Sequence, residues 1–199
     1  MQDSSFRSRR VVGASQLMPL DLYDRVRRVL ETNWRDNDWF YCDSAVIGHY
    51  AMKAAICERF RPRRILEIGT RCGYSLLAFR EVAPRASFLC IDGATDDDSL
   101  DCLAHCKKII DRHDLEADLL VVDSHAVRSL PRACFAHVDG DHSFAGALAD
   151  LRLVAHCRGI LADDVCNPEV AKAVDVFARE ANRHVEFIHD GLRRVAILT

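Results

Sequence analysis

The sequence predicts an α/β fold: a doubly wound, mostly parallel sheet with a C-terminal antiparallel hairpin and a short helical N-terminal cap. Three observations carry this. From Arg64 onward, short apolar runs alternate with amphipathic stretches of helical period. Strands separated by helices imply right-handed crossovers and a parallel sheet covered on both faces. Each of the five apolar runs ends on an acidic side chain, and the last segment holds two strand-like runs around a turn pair.

The elements follow in order. The first ~60 residues, with boundaries good to a few positions, form the cap, residues 1–60. LDLYDRVRRVLETNW and SAVIGHYAMKAAICERF carry helical periodicity, and RDNDWFYCD between them does not. Trp39, Phe40 and Tyr41 in that break suit a substrate mouth, a subunit contact or ordinary core. Residues 61–199 form one compact unit. Its strands are RILEI, SFLCID, ADLLVVD, FAHVD and GILADD; its helices include GYSLLAFREVA, DSLDCLAHCKKIIDRH and SFAGALADLRLVAH. CNPEVAKAVDVFAREAN reads as a helix with Asn167 as N-cap and Pro168 in its first position. VEFIHDGLRRVAIL closes the chain as a hairpin, with Asp190-Gly191 suited to a tight turn.

Composition removes several functional classes. The chain has 199 residues, 49% of them hydrophobic, and a formal net charge of −3. That balance gives no electrostatic footprint for nucleic acid or an anionic membrane. Arg7, Arg9 and Arg10 read as a solvated arm. No apolar run reaches the ~18 residues of a membrane helix, and the N-terminus lacks the apolar core of a signal peptide. Nine cysteines are scattered without a C-x-x-C pair. This favours small packed residues in a reducing cytoplasm over disulfides or structural zinc. Cys102, His105 and Cys106 share a helix face that could hold a metal, but packing is the simpler reading.

The run ends are Glu67, Asp92, Asp123, Asp139 and the pair Asp163–Asp164. In a parallel sheet they lie on the edge where open α/β sheets bind ligands. One such residue is explained as a helix N-cap. Five in order suggest a partner that is cationic, hydroxyl-rich or a metal. In EIGTRCGYS, Gly69 and Gly73 straddle a strand-to-helix turn and allow close backbone approach to a ligand. A dinucleotide fingerprint needs glycine where Arg71 stands, and no Walker A sequence follows.

At these residues the chain resembles the class I S-adenosylmethionine-dependent methyltransferases, whose domain is Rossmann-like. ILEIGTRCGYS is similar to their first motif, around the methionine end of the cofactor. FLCIDGA is similar to the acidic second motif. The resemblance runs from about Arg63 to the C-terminus. It implies cofactor contacts from Glu67, Gly69, Thr70, Arg71, Gly73, Tyr74, Ser75, Asp92, Gly93, Asp123, Ser124 and Asp139. Asp92 would bond the ribose hydroxyls, with Asp123 and Ser124 near adenine.

VDGDHSF followed by LADD narrows the resemblance to small O-methyltransferases that need a divalent cation and act on catechols, caffeoyl esters or macrolide sugars. That implies magnesium on Asp139, Asp163 and Asp164, with His142 as the base. Such chemistry is self-consistent: a hard cation with carboxylate ligands lowers a hydroxyl pKa, and an imidazole takes the proton. The chain departs from the caffeoyl type in carrying His142 instead of lysine and Asp164 where asparagine is frequent. CRGILADD also lacks the Pro-Gly-Gly common before this strand. The expected protein is a cytoplasmic homodimer acting on a small molecule, without nucleic-acid or membrane partners. Three alternatives stay open: a metal-independent methyltransferase, a non-catalytic cofactor-binding protein of the same fold, and a nicotinamide dehydrogenase. The glycine spacing speaks against the last.

Overall fold

A computed structural model describes residues 10–13, 18–35, 38, 43–190 and 193–199. Trp39, Phe40, Tyr41, Gly191, Arg7 and Arg9 lie outside the described residues. The described strands are β1 (Arg10–Gly13), β2 (Arg64–Ile68), β3 (Ser87–Asp92), β4 (Ala117–Val121), β5 (Phe135–Val138), β6 (Gly159–Ala162), β7 (Val185–His189) and β8 (Arg194–Leu198). The helices are α1 (Leu20–Glu31), α2 (Ser44–Glu58), α3 (Tyr74–Arg80), α4 (Asp97–Arg112), α5 (Phe144–Leu153) and α6 (Pro168–Glu180).

The strands form one sheet in the order β1-β7-β8-β6-β5-β2-β3-β4. β8 runs antiparallel to both β6 and β7, and every other pairing is parallel. Strand order reverses between β2 and β5, so a crevice opens beyond their carboxyl ends. Asn167 caps α6 by accepting from the Glu169 N–H, with Pro168 at the first position. At the hairpin, the Arg193 N–H donates to the Asp190 carboxylate at 2.6 Å.

Sequence patterning explains the layers. β5 reads FAHV and is buried at every position, as a central strand covered on both faces must be. Edge strand β4 instead leaves Leu120 and Val121 exposed. One face of the sheet carries a core joining α1 and α2 to Phe79, Phe88 and Phe135. The other joins Leu148, Leu151, Val174 and Phe177 from α5 and α6. The N-terminal helices therefore share the core of the sheet. The cap is also not wholly helical: β1 pairs in parallel with β7, from Arg10 against Glu186 to Gly13 against His189. Its four residues are too few for a period to declare itself.

Six cysteines, including Cys102 and Cys106, are buried, as small apolar residues would be. His105 is committed elsewhere, with Nε2 2.8 Å from the Asn33 carbonyl. No described helix is long and apolar enough to cross a membrane.

Candidate active site

The reversal between β2 and β5 is occupied by a cavity of about 740 Å³, within the ~300–1,000 Å³ of small-molecule sites. One wall is the turn from β2 into α3. Gly69 has φ +84°, and a Cβ there would overlap the Asp139 carbonyl. Gly73 has φ +80° and caps α3. Both glycines are thus required by backbone geometry.

Asp92 closes the same wall. Its carboxylate accepts from the Arg71 N–H at 2.8 Å and from the Ala94 N–H at 3.2 Å. These bonds fix the carboxylate while its remaining lone pairs face the cavity, an arrangement suited to hydroxyl donors. Asp123 accepts from the His125 N–H at 2.9 Å. Ser124 donates to buried Asp150 at 2.6 Å. Tyr74 donates its hydroxyl proton to Asp38 and accepts from the Arg35 N–H at 3.1 Å, tying Arg35 and Asp38 to the cavity wall.

Gly69, Thr70, Arg71, Tyr74, Ser75, Asp92, Gly93, Asp123, Ser124, Asp139, His142 and Asp164 all line the cavity. Glu67, Gly73 and Asp163 do not. Glu67 is fully buried, and its Oε1 lies 2.7 Å from His137 Nδ1. Its place inside β2 turns it into the protein, where it pairs with buried His137.

The opposite wall holds the residues expected to do chemistry. His142 Nε2 lies 3.5 Å from Asp139 Oδ1 and 3.7 Å from Asp164 Oδ2. The bond to Asp139 raises the His142 pKa above its ordinary value, against partial burial. Burial, with Asp163 and Asp139 nearby, pushes Asp164 up; Arg193, 3.5 Å away, opposes this.

Asp163 belongs to a different group. Its Oδ2 accepts from Lys53 Nζ at 2.7 Å, and its Oδ1 lies 3.0 Å from His49 Nε2 and accepts from the Asp164 N–H at 2.8 Å. Burial raises a carboxyl pKa, yet Lys53 and His49 hold Asp163 well below the usual range. The ligand-capable groups fall into two sets, Asp139–His142–Asp164 and His137–Asp139–Asp163. Asp139, Asp163 and Asp164 do not converge as one set among the described residues. The three-carboxylate magnesium site implied by the resemblance does not fit this donor set, because the Asp163 carboxylate is already the counterion of Lys53 and His49.

Sequence reasoning missed His49, Lys53 and Arg193, all of which line the cavity. A signal existed. α2 is buried from Ala51 through Cys57 and is apolar nearly all round, yet it carries His49 and Lys53 four residues apart. Basic groups on one face of a buried helix must meet buried acids.

No protein-family model matches the chain, and no curated protein matches it in sequence. Solved structures do match. The S-adenosylhomocysteine-bound methyltransferase PaMTH1 of Podospora anserina superposes with a TM-score of 0.59 at 15% identity, over 90% of this chain and 88% of its own. A protein assigned as an O-methyltransferase from Klebsiella pneumoniae gives 0.58 at 16%, over 92% of each chain. One assigned as a caffeoyl-CoA O-methyltransferase from Staphylococcus aureus gives 0.60 at 11%, over 89% of this chain and 91% of its own. The fold is that of the class I S-adenosylmethionine-dependent methyltransferases, Rossmann-like with an antiparallel C-terminal hairpin.

Proposed function

We propose that this protein transfers the methyl group of S-adenosylmethionine to a hydroxyl of a small molecule. One observation carries the reading. The Gly69 turn, Asp92, Asp139 and His142 line a single cavity at the sheet's reversal point. A glycine turn and a carboxylate suited to a cofactor thus share one cavity with a candidate base, which supports the reading.

When bound, S-adenosylmethionine supplies a sulfonium methyl; its transfer to oxygen breaks the carbon–sulfur bond, leaves that electron pair on sulfur, and frees the hydroxyl proton. This chain's residues do the remainder. Asp92 accepts hydroxyl donors of the ribose, and the Gly69 turn lets the backbone approach. His142 Nε2 takes the acceptor's proton, and Asp139 beside it stabilises the imidazolium that results. The cap residues Val46, His49 and Tyr50 contribute to the acceptor side of the cavity.

Of the two ligand-capable sets, Asp139–His142–Asp164 would bring His142 into conflict with its use as base, and His137–Asp139–Asp163 would take Asp163 from Lys53 and His49. The metal-independent reading is favoured by the pairing of Asp163 with Lys53 and His49, and no step above passes through a metal. The proposal includes a homodimer, as the resemblance implies, and a cytoplasmic setting, as the scattered cysteines suggest.

The test is release of S-adenosylhomocysteine on incubation with S-adenosylmethionine and a panel of phenols, catechols and sugar diols. Acceptor-dependent release supports the reading. Tight cofactor binding without turnover on any hydroxylated acceptor favours a non-catalytic cofactor-binding protein. Absence of cofactor binding removes both.

A further inference from the structure

Beneath the acceptor side of the cavity runs a buried chain of acids and bases drawn from five parts of the fold. Asp190, in the β7–β8 turn, has Oδ2 2.7 Å from His49 Nδ1. The other ring nitrogen of His49 lies 3.0 Å from Asp163 Oδ1, just after β6. Asp163 Oδ2 accepts from Lys53 Nζ at 2.7 Å. Lys53 Nζ is 3.4 Å from His137 Nε2 on β5, and His137 Nδ1 is 2.7 Å from Glu67 on β2. Both nitrogens of His49 face carboxylates, so satisfying both requires two N–H donors and a positive ring. Asp163 thus meets two cations.

Lys53 is the centre of this chain. Its side chain is only 3% exposed, yet it lines the cavity. Its ammonium lies 3.9 Å from Asp139 Oδ2, so one fixed charge stands between Asp163 and the carboxylate that flanks His142. A magnesium ion would need oxygens at about 2.0–2.1 Å in near-octahedral array. Taking Asp163 as a ligand would strip Lys53 of its closest partner and leave an ammonium buried without its counterion, which is strongly unfavourable.

We propose that Lys53 is the resident cation of this centre. It supplies to Asp163 and Asp139 the positive charge that a divalent ion would otherwise bring, and the site works without such an ion. Lys53 is a positioning residue here: it acts through Asp139 and Asp163 to hold the acidic wall at low net charge around the acceptor. The inference rests on the reading of this cavity as a methyl-transfer site.

The experiment uses the full chain saturated with S-adenosylhomocysteine. Its melting temperature is followed as magnesium chloride is raised to about 10 mM, in the wild type and in Lys53→Met. A ligand that binds only the native state raises that temperature. The wild type should show no saturable shift. Lys53→Met, with Asp163 and Asp139 left uncompensated, should gain a magnesium-dependent rise of several degrees; a merely structural lysine would lower the melting temperature without creating a metal response. Folding of Lys53→Met only in the presence of magnesium would support the proposal in the same way. A variant that folds and shows no magnesium response overturns it. Should the variant not fold in any condition, the wild type decides through the electron paramagnetic resonance of free manganese(II). An unquenched free-ion signal over the enzyme supports the resident-cation reading, and sub-millimolar binding lost in Asp139→Asn overturns it. Failure of the methyl-transfer reading itself is seen separately, as no calorimetric signal for S-adenosylhomocysteine before any metal is added.

Discussion

The two walls of the cavity are built on opposite principles. On the wall of the glycine turn, Asp92 is held by backbone N–H groups and Asp123 caps a turn, so each carboxylate is oriented and lines the cavity. On the acceptor side, Asp163 is closed by Lys53 and His49, and Asp164 and Asp139 flank His142. The first wall is made of main chain and waiting acceptors. The second is a network whose charges already answer one another. Acidic residues at equivalent strand ends are thus open to the cavity in one half and paired as internal counterions in the other. What decides between them is the neighbouring helix: α2 brings His49 and Lys53 to Asp163 and His137, and among the described residues no buried base pairs with Asp92.

Breaking the closed wall should cost most. Asp163→Ala leaves Lys53 and His49 buried without their shared counterion, and loss of one partner of a buried pair costs about 3–5 kcal/mol. Denaturant unfolding should show that loss. The pH dependence has a definite sign. Burial raises the Asp163 pKa, but Lys53 and His49 depress it well below that of an unfolded aspartate. Its contribution is therefore full above about pH 3.9, the unfolded value, and is lost as pH falls through the depressed folded value. Wild type should outlast Asp163→Ala most clearly at neutral pH, and the gap should close only in strong acid.

His142 tests the open part of the acceptor wall. His142→Ala should lower kcat by about 10²–10⁴-fold on an acceptor that turns over, the usual range for a general base. Affinity for S-adenosylhomocysteine should barely change. Because Asp139 raises the His142 pKa, the wild-type rate should climb with pH along a limb centred above about 6.5. That limb should vanish in the variant; if it persists, His142 is not the base.

Gly69→Ala probes the line where the walls meet. The added Cβ would strike the Asp139 carbonyl at a residue with φ +84°. Overpacking against immobile backbone with left-handed strain should cost about 3 kcal/mol. Thermal unfolding should therefore show a drop on the order of 6–12 °C. A variant that melts with the wild type would mean the turn yields without strain.

The sheet was legible from its strand runs because central parallel strands are apolar throughout, as FAHV and GILA are. The crossover helices and the Asn167-Pro168 start of α6 were legible for the same local reasons. β1 was not, since four residues paired to a distant edge leave no local period. At the site, the glycine turn and the acidic ends carried their own signal. Asp163 did not, because its neighbour at 2.7 Å is 110 residues earlier in the chain. A carboxylate that binds a ligand and one that binds a lysine look alike until the fold brings the lysine.

The mildest substitution bears most directly on the whole account, because everything depends on the cofactor wall being one. Asp92→Ala removes acceptors for the ribose hydroxyls while sparing the buried network on the other side. Isothermal titration of S-adenosylhomocysteine into wild type and variant, in chelator and without added metal, is the decisive measurement. The wild type should bind saturably, and the variant about 5–150-fold more weakly, the equivalent of about 1–3 kcal/mol for hydroxyl groups left poorly paired. Equal affinity in the two proteins, or no binding by the wild type, would contradict the account.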